Sequence, residues 1–148
     1  MSRKPEATFK ASVHRHLPTG RTGVYVEGMA NDYRGGTPDN YYEGDSGYLW
    51  VEWKFLQDIP PVIDLMDAKK QVKLSPLQQK WLGRAESNKI NVAVIVGSKL
   101  GGMVLTCDEV HHWSDKITRE EFEHNLLSRK ELATWIQENV GRCLNSPL

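Results

Sequence analysis

Gly35-Gly36-Thr37-Pro38-Asp39-Asn40-Tyr41-Tyr42 leads through the polar turn Glu43-Gly44-Asp45-Ser46-Gly47 into Tyr48-Leu49-Trp50-Val51-Glu52-Trp53-Lys54-Phe55. The stretch predicts two short β-runs joined by a turn. Strand side chains repeat every two residues, so Leu49, Val51, Trp53 and Phe55 share one face and Tyr48, Trp50, Glu52 and Lys54 the other. Glu52 and Lys54 therefore stand together. Asp39 heads the first run, across the hairpin from the end of the second, within reach of the same point. Two carboxylates beside a lysine suit a hard cation and metal-assisted phosphodiester hydrolysis, in which a metal neutralises phosphate charge and activates water.

Before this stretch, Pro5 and the four-residue recurrence of Phe9, Val13 and Leu17 predict a first helix that ends at Pro18. Residues 23–29 read as a strand, and the paired glycines 35 and 36 call for special backbone angles or a close approach. After it, residues 57–73 predict a long surface loop with at most a turn of helix at 63–68. Ser75 and Pro76 then open a helix that runs to about Ser87. The apolar run 90–96 predicts a strand covered on both faces, and 103–107 its returning neighbour. Thr118-Arg119-Glu120-Glu121 and Ser128-Arg129-Lys130-Glu131 fit the capping-box pattern and open two final helices, the second carrying Leu132, Trp135, Ile136 and Val140 on one side. The expected class is α/β, a central mixed sheet of about five strands flanked by helices, in the order α-β-β-β-α-β-β-α-α.

The chain has 148 residues and 19 Lys/Arg against 19 Asp/Glu. That length suits one domain with a real core. Residues 1–107 are net +3 and residues 108–148 net −3. Zero net charge argues against a strongly basic nucleic-acid binder but not against a local positive groove. No apolar run approaches membrane-spanning length, and the N-terminus lacks the apolar core of a signal peptide, so a cytoplasmic site is expected. Cys107 and Cys143 are too few for a disulfide framework; both are expected reduced, Cys107 buried at a strand end.

With Pro38-Asp39 and Glu52-Trp53-Lys54 in place, the sequence resembles the PD-(D/E)XK nuclease superfamily, which has a restriction-endonuclease-like core. Within it, the chain is most similar to the small stand-alone VRR-NUC nucleases of phages and bacteria. Gly36-Thr37-Pro38-Asp39, the Glu-aromatic-Lys triplet and Leu74-Ser75-Pro76-Leu77-Gln78 carry that resemblance. It covers residues 6 to 107 and implies one nuclease domain over 1–148, with a helical extension at 108–148. It further implies that Asp39, Glu52 and the backbone carbonyl of Trp53 hold Mg²⁺, with Mn²⁺ able to substitute. Lys54 would position water or stabilise phosphorane charge, and Gln78 would belong to the motif, with its neighbour Gln79 as the confounder. The motif is also similar to that of phage junction-resolving endonucleases, whose first helix supplies a further acid; Glu6 matches that spacing. Branched or structured DNA, a homodimer and a bacterial or phage-infected cell follow from the same resemblance.

Several other residues are candidates for DNA contact. Tyr33, Arg34, Tyr41 and Tyr42 lie near the motif and could grip phosphate or stack on a base, while Lys69, Lys70 and Lys73 could form a DNA-gripping loop. His111-His112-Trp113 lacks a third metal ligand nearby and reads as an interfacial loop. No phosphate-cradling Gly-rich loop is present, which removes a nucleotide cofactor. A sequence-reading homing or restriction-like endonuclease is an alternative, although no helix rich in Arg, Asn and Gln suits the major groove. A non-catalytic DNA-binding or assembly module on the same fold is the alternative of another class.

Overall fold

The computed structural model describes residues 4–18, 23–29 and 35–141. Helix α1 (Pro5–His14) precedes strands β1 (Tyr25–Gly28), β2 (Asn40–Glu43), β3 (Tyr48–Leu56) and β4 (Val62–Asp64). Helix α2 (Pro76–Ser87) leads to β5 (Val92–Ser98) and β6 (Gly101–Leu105). The chain then forms β7 (Lys116–Thr118), α3 (Arg119–His124) and α4 (Arg129–Asn139). Five strands make the central sheet in the order β1-β2-β3-β5-β6, with β3 and β5 parallel and the other neighbours antiparallel. The parallel pair requires a crossover, and α2 provides it. This is the expected mixed α/β sheet flanked by helices.

The alternation in β3 divides the molecule. Leu49, Val51 and Trp53 are buried in one core with Phe9 and Val13 of α1 and Leu132, Ala133 and Ile136 of α4. The opposite face carries a second core, where Leu82 and Ala85 of α2 meet Val92, Val94 and Val96 of β5. Because β5 is packed on both sides, its sequence is apolar without alternation. Residues 108–141 serve both cores: Trp113, Ile117 and Phe122 join the second, and α4 closes the first.

Several expectations change. Residues 57–73 are not only a loop, and no helix forms at 63–68: β4 lies there and pairs antiparallel with β7 in a separate two-stranded sheet. Three-residue strands are too short to alternate visibly, and these two partners lie far apart in sequence. Cys107 is exposed, because β6 ends at Leu105 and the chain has already turned outward. Helix α1 ends at His14 rather than at Pro18, although Leu17 still reaches the first core. His111-His112-Trp113 is anchored to α2 within the chain. His112 Nε2 lies 2.7 Å from Glu86 Oε1, and the Trp113 indole donates to the same oxygen at 2.8 Å. Among the described residues no helix is long and apolar enough to cross a membrane.

Candidate active site

Register brings the acids together. Asn40 pairs with Val51, which sets Asp39 beside Glu52 at the middle of β3, and the Trp53 backbone N–H donates to Asp39 Oδ2 at 2.9 Å. Asp39 is thus tied to the strand that carries Glu52 and Lys54. The loop before it is fixed from the other side. Gly36 has φ +96°, and a Cβ there would collide with the Leu77 carbonyl at the start of α2. Only a glycine allows the Asp39 loop to lie this close to α2.

Helix α2 completes the arrangement through its cap. The Ser75 hydroxyl accepts from the Gln78 backbone N–H at 3.1 Å, and Gln78 Oε1 accepts from the Ser75 N–H at 2.8 Å, a capping box. With its carbonyl held, the Gln78 amide group faces β3. Its Nε2 donates to Glu52 Oε2 at 2.9 Å, and its Oε1 also accepts from Lys54 Nζ at 3.2 Å. Lys54 Nζ lies 3.5 Å from the same Glu52 Oε2. Gln79 turns away and donates to the Leu74 carbonyl. The structure therefore brings Gln78, not its neighbour, to Asp39, Glu52 and Lys54.

Glu52 is only 3% exposed. Both neighbours bind one of its oxygens, and Oε1 is buried with no hydrogen-bond partner. A bare buried carboxylate oxygen is costly. Burial, and secondarily the nearby charge of Asp39, pushes the Glu52 carboxyl up to about 8, while Lys54 pulls in the opposite direction. Glu6, on the first turn of α1, is also raised, first by burial and then by Asp39; Lys54 and the flanking Lys10 and Lys4 oppose the shift. Glu6 therefore shares the electrostatic field of the cluster.

A divalent cation fits these residues. It would give Glu52 Oε1 a partner and offset the repulsion between Glu52 and Asp39, and the donors are hard oxygens of the kind Mg²⁺ prefers. Among the described residues no three His, Cys, Asp or Glu side chains form a metal-binding group by themselves. A cation here would need donors beyond the two carboxylates. The Trp53 side chain lies in the opposite core, so only its main chain faces the cluster.

The other candidates sit apart. Tyr33 and Arg34 lie outside the described residues. Tyr42 is fully buried in the first core, where its hydroxyl accepts from the Trp53 indole at 3.2 Å and lies 2.7 Å from His14 Nε2; it does not reach DNA. Tyr41 donates to Glu43 and stands against Trp50. Lys69, Lys70 and Lys73 occupy a turn in which Lys73 Nζ donates to the Lys70 carbonyl and Asp67 accepts from the Lys69 N–H. The double role of Gln78 went unread, although Ser-x-x-Gln is itself a capping-box signal.

No family model matches the chain, and no curated protein matches it. Among solved structures it is similar to Hjc, a Holliday junction resolvase from the archaeal hyperthermophile Archaeoglobus fulgidus. The identity is 16% over 76% of this chain and 91% of that one, with a TM-score of 0.46.

Proposed function

We propose that the chain is a divalent-metal-dependent DNA endonuclease of the PD-(D/E)XK type, related to the VRR-NUC nucleases. The observation that carries this reading is Glu52: a buried carboxylate with one oxygen held by Gln78 and Lys54, the other left bare, and the charge of Asp39 nearby. Asp39, Glu52 and the Trp53 carbonyl would hold Mg²⁺, or Mn²⁺ in its place, with Glu6 as a further ligand. Bound there, the cation supplies Lewis acidity that neutralises phosphate charge and makes water a stronger nucleophile.

The chain's own groups then have separate tasks. Gln78 fixes both Glu52 and Lys54, so neither reorients when substrate arrives. Lys54 has three donors, directs two toward Gln78 and Glu52, and keeps one for the attacking water or a phosphoryl oxygen. A fixed cation aimed at developing negative charge lowers the barrier without reorganisation.

The substrate is branched or structured DNA, cut by a homodimer that places two sites on opposing strands in the cytoplasm of a bacterial or phage-infected cell. The similarity of the Thr-Pro-Asp, Glu-x-Lys and first-helix Glu pattern to junction-resolving endonucleases supports this finer reading.

A cleavage panel tests it: linear duplex, single strand, flap and four-way junction with Mg²⁺, Mn²⁺ or EDTA, beside Lys54→Ala. Metal-dependent cutting of branched DNA, lost in the variant, is expected. Cutting of linear duplex at defined positions would instead identify a sequence-reading enzyme. No cutting and no metal bound by calorimetry would leave a non-catalytic module.

A further inference from the structure

An open groove of about 560 Å³ lies on the α1 side of the sheet. Pro5, Thr8, Ser12 and Arg15 line it from one stripe of α1, about 15 Å long at 1.5 Å per residue. Phe55 lines it too, and Pro5 and Phe55 are the chain neighbours of Glu6 and Lys54. Phe55 belongs to the α1 face of β3, opposite Glu52 and Lys54, so the groove borders the candidate active site through the N-terminal end of α1, where Pro5 precedes Glu6.

Its charge is one-sided. Arg15 after α1, Lys99 in the β5–β6 turn and Arg129 at the start of α4 all line it, and no carboxylate does. Three cations from three separate elements converge there in a chain whose net charge is zero. Among the described residues none of the three pairs with an acid. Arg129 is also held in place: its guanidinium lies 4.9 Å from the centre of the Phe9 ring, and its Nε donates to Ser12 Oγ at 2.9 Å. Its terminal nitrogens stay available for a phosphate. The Lys69–Lys73 turn differs, because Asp58 and Asp64 line the cavity that Lys70 faces.

We propose, on the basis of the nuclease reading above, that this groove carries the sugar-phosphate backbone of a DNA segment flanking the cleavage point, gripped by Arg15, Lys99 and Arg129. A 15 Å track matches about four nucleotides at 3.4 Å each along the axis. Contacts to phosphate fix register and carry no sequence information, which suits an enzyme that recognises DNA shape.

The test is the salt dependence of DNA binding by the full chain, with Ca²⁺ in place of Mg²⁺ and a labelled four-way junction as probe. Arg129 packs on the core, so the variant is the exposed pair Arg15→Gln/Lys99→Gln. Each phosphate that is no longer neutralised lowers the slope of log K against log salt by about 0.9, so the slope of the double variant should fall by about 1.8. A Lys69→Gln/Lys70→Gln/Lys73→Gln triple variant should show a smaller fall. A wild type that binds and cuts DNA, with an unchanged slope in the double variant, overturns the groove and leaves the nuclease reading intact. So does a larger fall in the triple than in the double. A wild type that neither binds nor cuts DNA defeats the nuclease reading itself, and the groove with it.

Discussion

Strand β3 holds a buried polar centre on each face, and the two are finished to different degrees. On the α1 side, the Trp53 indole donates to the Tyr42 hydroxyl, which lies in hydrogen-bond contact with His14 Nε2. Burial, and secondarily Lys10, lowers His14 to about 4, so the ring is neutral and the Tyr42 proton can serve it. The Trp53 indole nitrogen, the Tyr42 hydroxyl and His14 Nε2 each have a partner. On the α2 side, Glu52 is as deeply buried but keeps a bare oxygen, and its carboxyl is raised rather than settled. A satisfied network adds rigidity, whereas a half-satisfied one lowers stability unless something else occupies it. The first centre is complete as folded, and the second, on the proposed reading, is completed by a cation.

The sharpest way to break this contrast is to remove the acids. Asp39→Ala or Glu52→Ala should reduce metal-dependent cleavage about a thousandfold, because cation stabilisation of the transition state supplies several kcal/mol and each 1.36 kcal/mol is tenfold. Circular dichroism should show the fold kept in both. Full activity in either variant, measured at saturating Mg²⁺, would remove the site.

What could be read in advance follows the range of each interaction. The hairpin, the alternation of β3, the caps at Ser75, Thr118 and Ser128 and the continuous apolar run of β5 are written within a few residues, and each stands in the structure. Asp39 and Glu52 could be brought together because hairpin register is local. The β4–β7 pair could not, since neither three-residue strand carries a pattern and only the closed second core brings them together. The groove cations were invisible for the same reason: Arg15, Lys99 and Arg129 belong to three elements that meet only after folding. The role of His14 depends on a tyrosine across the core, far away in sequence.

Tyr42→Phe attacks the finished centre. It strips the shared partner from the Trp53 indole and from His14, leaving two buried polar atoms unsatisfied at about 1–3 kcal/mol each. Urea denaturation should show a loss of about 2–6 kcal/mol with an unchanged slope, so that the midpoint alone moves. A midpoint equal to that of the wild type would mean that the network contributes nothing and that the two faces do not differ as described.

Glu52→Gln should do the reverse and stabilise the metal-free protein, by about 1–3 kcal/mol near pH 8. The sign follows from proton uptake. The folded Glu52 carboxyl titrates at about 8 and the unfolded one at 4.5, so between these values the folded state holds more protons. Stability from this group is greatest below 4.5 and is lost as pH rises to about 8. His14 runs the other way: it titrates at about 4 folded and 6.5 unfolded, so the folded state holds fewer protons in that window and stability rises with pH across it. The wild-type profile superposes these two on a further fall above 4.5 from Glu6, whose carboxyl is also raised, so that a rise below 6.5 is opposed by a fall that Glu52 carries on to about 8. Glutamine at position 52 removes the Glu52 part of the falling limb, the part that reaches about 8, and leaves the His14 rise and the Glu6 fall. Mg²⁺ should flatten the same limb in the wild type, because a cation at Glu52 favours its ionised form, and should leave the variant's profile unchanged. A fall still centred near pH 8 in Glu52→Gln would place the titrating group elsewhere and separate the unfinished centre from the metal.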